Sequence, residues 1–446
     1  MTDEWAEFIR DNPDITHVDA LLFDLCGRAY GKRLPRAHAV KLFSDGTPVC
    51  AAMGLVDVNG NTADPMGYGF SDGDPDAVAR PVSGTLKRAP WTPGLAQVLC
   101  APRHAETEEP FWYDPREVLK RTVAKLHGAG LFPVVACELE FYLVSRQRDD
   151  GGRPLPAISP ASGRPESAGQ VLSLAKLDEY QPLLAEIEAT CVVQGVPSST
   201  MISEYGAGQF EVNLEHGDDP VRAADEALLL RRIVQAVATR HGMEATFMSK
   251  PFPEQAGSGL HIHASIAGPD GENLFAGSNG EILLGQAAAG LAATLHEGMA
   301  LFAPNLNVYR RFKANNFTPV TRDWGDNNRS VAFRVPASRP QARRLEHRAA
   351  GAEANPWLAM AAVLAGMHHG IDAGLEPAKK ATGNAGAEVD QTLPLNLSDA
   401  LRALRAATIL PRWLGEDYPA IYASVKEAEI AAFMEAISKQ EYEWYL

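Results

Sequence analysis

The sequence predicts an α+β protein, and three observations carry that expectation. The first hundred residues are short β segments broken by Gly, Pro, Asn and Asp; the remainder alternates well-capped helices with strands; and those strands collect acids, histidines and arginines on one face. A chain of 446 residues is too long for one ordinary core, so two domains are expected, 1–105 and 106–446, parted at the polar, acidic stretch 101–110. The composition, 46% hydrophobic and 22% charged, is that of a globular protein. A formal net charge of −15 argues against a nucleic acid or an anionic membrane surface as partner and leaves small molecules. The five cysteines are scattered and never form a C-x-x-C pair, which excludes a zinc knot or disulfide framework and fits the reducing cytoplasm. The acidic N-terminus has no signal-peptide character, and no apolar run reaches membrane-spanning length.

In the first hundred residues, strands are expected at 18–25, 48–53 and 96–101, with a turn at 27–31. The stretch 57–81 is so dense in Gly, Asp and Pro that it predicts no regular structure. Gly27-Arg28-Ala29-Tyr30-Gly31-Lys32 is one residue short of a phosphate loop and lacks the hydroxyl that binds magnesium, so it is not read as one.

Asp114-Pro115-Arg116-Glu117 then opens a helix running to residue 127: Asp caps it, Pro takes the first helical position and Glu follows three after the cap. A strand at 132–145 puts Glu138 and Glu140 on one face and Leu139, Phe141 and Leu143 on the other. Carboxylates side by side repel, so they require open water or a cation. A long loop at 149–170 and a helix at 177–194 lead to a glycine turn preceded by Glu204, and then to a strand with Gln209, Glu211 and Asn213 on one face. Asp219-Pro220 caps a helix reaching residue 241. In Leu260-His261-Ile262-His263-Ala264-Ser265-Ile266, both histidines share a face with Ser265 while the apolar residues point to a core. Beyond a helix at 281–303 lie Arg311, Arg329 and Arg334, and a segment placing Arg344, Glu346 and Arg348 on one face. An alanine-rich helix at 357–369 should be central to the core, and two more helices, 397–407 and 424–441, close the chain.

The polar faces offer Glu138, Glu140, Glu204, Glu211, Glu346, His261 and His263. A set rich in oxygen, poor in nitrogen and free of thiolate suits Mg²⁺ or Mn²⁺, and more than one such cation. Arginine is the side chain suited to bidentate recognition of carboxylate and phosphate. Together these are the components of phosphoryl transfer without a P-loop.

These motifs resemble those of the glutamine synthetase superfamily over nearly the whole chain. Glu138-Leu-Glu140-Phe looks like its E-x-E-F strand, and Glu204-x-Gly206-Ala207-Gly208-Gln209-x-Glu211 its E-x-G-P-G-Q-x-E motif with Ala for Pro. Gly257-Ser-Gly-Leu-His261-x-His263 is similar to its G-S-G-[MF]-H-x-H signature, and Asn328-Arg329-Ser330, Arg334-Val-Pro and Arg344-x-Glu346-x-Arg348 follow in the family's order. The resemblance implies an N-terminal β-grasp domain and a catalytic domain with an antiparallel sheet flanked by helices. It also implies a homo-oligomer, a dodecamer of two hexameric rings with active sites between subunits. Residue by residue, it implies that Glu140, Glu204 and Glu211 hold one metal and Glu138, His261 and Glu346 the other. By the same resemblance Gly257 contacts the α-amino group of glutamate, Arg311 and Arg348 hold its carboxylates, and His263 lies beside the substrates. Arg329 and Arg334 stabilise the phosphates of ATP and the transferred group, with Arg344 also on the nucleotide. Arg311, Arg329 and Arg334 are thus the expected catalytic residues.

Two departures concern the nucleophile. Ammonia-using members carry a flap glutamate six residues after the arginine matching Arg311; here that position is Phe317, and no acid occurs between Arg311 and Arg322. The N-terminal Asp-Gly-Ser-Ser segment of those members is also missing at Met53-Gly54-Leu55-Val56-Asp57, and Ala256 stands where they often have Asn. An ammonium pocket needs oxygen ligands, so Phe317 suits an organic amine better. The fuller wording, such as Gly84-Thr85-Leu86-Lys87-Arg88 and Trp324-Gly325-x-x-Asn328-Arg329, looks most like the γ-glutamylpolyamine synthetase branch. That resemblance implies ATP-dependent ligation of glutamate to a polyamine or small monoamine. The alternatives are a glutamine synthetase using ammonium and a non-catalytic relative, the latter disfavoured because every metal-ligand position is filled.

Overall fold

The computed structural model describes residues 2–446. A first, mixed sheet holds β1 (His17–Phe23), β2 (Ala29–Pro35), β3 (Thr47–Cys50), β4 (Asp76–Pro81), β5 (Lys87–Arg88) and β6 (Leu95–His104). Its order is β2-β1-β6-β4-β3, with β5 also on β6. β1 and β6 run parallel while the other pairs are antiparallel. Two helices accompany this sheet, α1 (Thr2–Asp11) and α2 (Arg36–Ser44), the second burying Ala39, Leu42 and Phe43. Neither helix was expected. Nor was β4, which ends the turn-dense stretch 57–81: it lies between β3 and β6, and pairing on both edges outweighs a poor local propensity. The expected turn at 27–31 likewise gives way to β2, which pairs with β1 from Ala29 to Pro35.

The second sheet carries β7 (Phe132–Arg148), β8 (Pro154–Pro156), β9 (Ser198–Ser203), β10 (Gln209–Leu214), β11 (Met243–Thr246), β12 (Leu260–Ala267), β13 (Trp324–Asp326), β14 (Phe333–Val335) and β15 (Leu345–His347). Its order is β13-β14-β15-β12-β7-β10-β9, with β8 and β11 also on β7. All these pairs are antiparallel except β13–β14. The helices are α3 (Pro115–Gly128), α4 (Leu174–Glu179), α5 (Gln181–Gln194), α6 (Pro220–Arg240), α7 (Gly280–Phe302) and α8 (Pro356–Asp372). The C-terminal region adds α9 (Leu397–Arg405), α10 (Pro411–Leu414), α11 (Tyr418–Glu435) and α12 (Lys439–Tyr445). Asp114 caps α3 as its sequence predicts, accepting a hydrogen bond from the Glu117 amide at 2.9 Å. The single helix expected at 177–194 is instead α4 and α5, because Pro182 cannot continue the earlier turn. The expected helix at 424–441 begins earlier, at Tyr418, and ends at Glu435; Ser438 then starts α12 with a capping box.

The larger sheet is two-faced. Leu139, Phe141 and Leu143 of β7 and Leu260 and Ile262 of β12 are fully buried. Behind them, Asp225 of α6 accepts hydrogen bonds from Arg116 of α3 at 2.9 Å and from the Trp357 indole of α8 at 2.8 Å, joining three helices. The first sheet meets the helices behind the second through the Phe23–Trp357 ring pair, between β1 and α8, and a Gln97–Gln194 side-chain hydrogen bond of 2.7 Å, between β6 and α5. No helix of the described residues is long and apolar enough to cross a membrane. Leu139→Ala removes a fully buried side chain directly behind the acidic face, and is expected to destabilise the protein by about 2–5 kcal/mol, read as a lowered urea midpoint.

Candidate active site on the larger sheet

Register alone brings the polar residues together. Glu138 of β7 lies directly across from His261 of β12 on one side and Asn213 of β10 on the other. Glu140 faces Glu211. His263 faces Glu346 of β15, which in turn faces Arg334 of β14. Cross-strand partners stand about 5 Å apart at Cβ, so one residue pattern on each of five strands makes a single cluster. Carboxylate and imidazole atoms of Glu138, His261 and Glu346 all lie within 4.8 Å of one another, as do those of Glu140, Glu211 and His261. Glu204, expected beside Glu140 and Glu211, is outside both groups: its carboxylate turns back to accept the Tyr205 amide at 3.1 Å. It lines the same cavity nonetheless.

Each acid is held in place. Glu140 accepts the Gly259 amide at 2.9 Å, and Glu346, 1% exposed, accepts Arg334 at 2.6 Å and also Arg348. Glu138 receives Asn213 at 3.2 Å and His261 Nδ1 at 3.3 Å. His263 accepts Arg344 Nε on Nδ1 at 3.0 Å, which leaves the proton on Nε2, 2.8 Å from Glu138.

The electrostatics divide this set. For Glu138, burial opposes ionisation, yet contact with His261 and His263 prevails and holds the carboxyl well below its usual range. Glu346 behaves alike: burial opposes, but the charge of Arg348 brings it down to about 2. Glu211 has no such partner, and burial with the carboxylates of Glu138 and Glu140 pushes it up to about 10. Burial and Glu140 push Glu204 up to about 7, with Arg329 opposing. Five carboxylates and an imidazole, without thiolate, fit hard divalent cations, and the raised acids are the groups that such a charge would ionise. Cys137 is not a competing ligand, since its strand position turns it into the core on the opposite face.

Two cavities flank the cluster, and Glu138 and Asn213 line both. One, of about 820 Å³, is lined by His263, Ser265 and Arg344. The other, of about 870 Å³, holds Gly257, Arg311, Phe317, Arg329, Arg334 and Arg348. Arg311 is 3% exposed and wedged among glycines. A Cβ on Gly257 would lie 2.6 Å from its Cγ, one on Gly259 3.1 Å from Nη2, and one on Gly351 3.3 Å from Nη1. Sequence reasoning assigned a role to Gly257 but not to Gly259 or Gly351. Gln209, placed by its alternation on the face of Glu211 but given no role there, donates its amide to the Gly257 carbonyl at 3.1 Å and so braces that wall, and Tyr205, not singled out in the sequence, pairs with Phe317 at the rim.

Residues 112–445 match the family described as glutamine synthetase, catalytic domain. The chain is 38% identical to the gamma-glutamylputrescine synthetase PuuA of Escherichia coli (strain K12), over 100% of this chain and 95% of that one. It is 29% identical to a glutamate–isopropylamine ligase of Pseudomonas sp, over 98% of this chain and 97% of the relative. A solved GmaS/ADP complex shares its fold with a TM-score of 0.83 and 28% identity, over 100% of this chain and 99% of that chain.

The raised acids set a pH dependence. Their folded pKa values lie above the ordinary 4.5, so the fold prefers them protonated and the metal-free protein loses stability as pH rises from about 4.5 through 7 toward 10. A divalent cation removes that cost. Mg²⁺ or Mn²⁺ is therefore expected to raise Tm more at pH 8.5 than at pH 6, and to release protons on binding, measurable by calorimetry in buffers of different ionisation enthalpy.

Proposed function

The chain belongs to the glutamine synthetase family, and from that premise we propose that it is an ATP-dependent ligase joining the γ-carboxylate of glutamate to an organic amine, a polyamine or small monoamine. The observation that carries the amine is Phe317, half-exposed at the rim of the cavity that holds Arg311 and the acids. Replacing the water around ammonium requires oxygen atoms, and a phenyl ring supplies none.

A carboxylate resists amines because oxide is a poor leaving group. Transfer of the γ-phosphoryl of ATP to a γ-carboxylate oxygen gives γ-glutamyl phosphate and ADP. The amine nitrogen then bonds to the acyl carbon, the C–O bond to phosphate breaks, and the nitrogen loses a proton. On this reading Arg311 and Arg348 orient glutamate against Gly257, while His263 and Arg344 lie on the nucleotide side. Arg329 and Arg334 neutralise charge on the phosphoryl group between them, and Arg334 is fixed for that task by Glu346 and by Asn327 at 2.9 Å. Two Mg²⁺ or Mn²⁺ ions, held by Glu138, His261 and Glu346 and by Glu140, Glu204 and Glu211, would supply Lewis acidity and charge neutralisation when bound. The separate sheets support a division into a β-grasp domain, 1–105, and a catalytic domain, 106–446. The family resemblance supports a dodecamer in the cytoplasm.

The test is phosphate release from ATP and glutamate across an amine panel. Organic amines are expected to exceed ammonium in kcat/KM, and ammonium at millimolar concentration matching the best of them would refute the reading. Phe317→Glu restores an acid at the rim and is expected to improve kcat/KM for ammonium about tenfold, the worth of one charge-assisted hydrogen bond.

A further inference from the structure

On the ligase reading above, we propose that Val171, Leu172, Tyr205 and Phe317 form an apolar collar that grips the carbon chain of the incoming amine. All four line the cavity that contains Arg311 and the acids. They are also exposed, Leu172 by 67%, Tyr205 by 55%, Phe317 by 51% and Val171 by 38%. Large apolar groups gathered in water at the mouth of a cavity mark a surface that something covers. The rings of Tyr205 and Phe317, from segments far apart in sequence, meet at 5.8 Å and 40° and make one continuous edge.

The collar is held rigidly, at a conformational cost. Leu172 has a φ of 58°, the left-handed region that a leucine rarely occupies. Hydrogen bonds fix it there: its amide donates to the Ser203 carbonyl at 2.9 Å, and the Ser173 amide to Ser203 Oγ at 2.9 Å. Gly169 presses the same loop onto the backbone of Tyr205, where a Cβ would stand 1.6 Å from the carbonyl oxygen. Asn315, on the lining of the same cavity, is also left-handed, at φ 60°, a conformation Asn adopts readily, and is tied by its amide to the Gly386 carbonyl at 2.8 Å. Backbone bonds thus fix the wall at both residues.

The amine nitrogen must pass inward toward the glutamate side chain, so the chain behind it trails through this ring. The four collar residues include no carboxylate, and the rim beside them carries the amides Asn316 and Asn384. The collar therefore selects methylenes, not charge. Its substrates are primary amines with an aliphatic chain of several carbons, and a second ammonium is not required.

The test compares kcat/KM for methylamine, propylamine, butylamine and hexylamine at saturating glutamate and ATP. Each buried methylene is expected to add about fourfold until the chain outgrows the collar. Tyr205→Ala and Leu172→Gly should each flatten that slope, chiefly through KM, and glycine at 172 relieves the φ strain, so the fold is kept. Hydroxylamine, which has no chain, forms γ-glutamyl hydroxamate and reads the ligase chemistry apart from the collar. A flat chain-length profile in the parent enzyme overturns the collar. So does a slope unmoved by both variants, or a Leu172→Gly change that shifts only the oligomeric state. Absence of hydroxamate from glutamate, ATP and hydroxylamine overturns the ligase reading itself.

Discussion

Negative charge confined in a half-dry space is the constraint from which the rest of the architecture follows. Glu138, Glu140, Glu211 and Glu346 project from neighbouring strands toward one another, and two of the surrounding acids are forced toward their neutral forms. A flexible scaffold would relieve that repulsion by moving apart. Here the strands cannot part, because their opposite face is welded to helices through fully buried residues such as Leu139 and Ile262. Arginine answers the charge on one flank: Glu346 lies between Arg334 and Arg348 and stays ionised where almost no water reaches it. The uncompensated flank, around Glu204 and Glu211, is where a cation would relieve the most repulsion.

The same cluster separates two chambers. Glu138 and Asn213 form the partition, with His263 and Arg344 behind it and Arg311 and Arg348 before it. On the ligase reading, a group transferred from one chamber to the other would pass between the charged side chains, where an activated acyl group would be guarded from hydrolysis. The front chamber opens between the hydrocarbon of Phe317 and Tyr205 and the amides of Asn316 and Asn384. On the ligase reading, Phe317 in place of an acid would suit that opening to an organic amine better than to ammonium.

Much of this was legible from the alternation of side chains along strands. The period of two placed Glu138 with Glu140, His261 with His263, and Glu211 with Gln209 and Asn213 on common faces, and the register confirms those faces. Capping residues likewise marked α3 and α6. What escaped depends on contacts between distant segments. β4 exists because β3 and β6 pair with it, not because its own residues favour a strand. Gly259 and Gly351 matter because side chains from other parts of the chain come close, Arg311 to both and Ser249 and Val308 to Gly351. Tyr205 is the variable position of a motif, and only the fold sets it against Phe317. Glu204 sat in a recognisable pattern, yet its turn sends the carboxylate back to its own backbone.

The packing of Arg311 has a genetic corollary. Gly257 and Gly259, two residues apart, both leave room for one side chain: a Cβ on the first would meet Arg311 Cγ and one on the second Arg311 Nη2. A methyl group at either displaces the same arginine, so the two substitutions share a lesion. Their effects should saturate instead of adding: a double mutant would be scarcely worse than the more severe single. Shortening Arg311 itself would mask much of both. Positions that look like independent tolerances to small residues thus behave, under selection, as one locus.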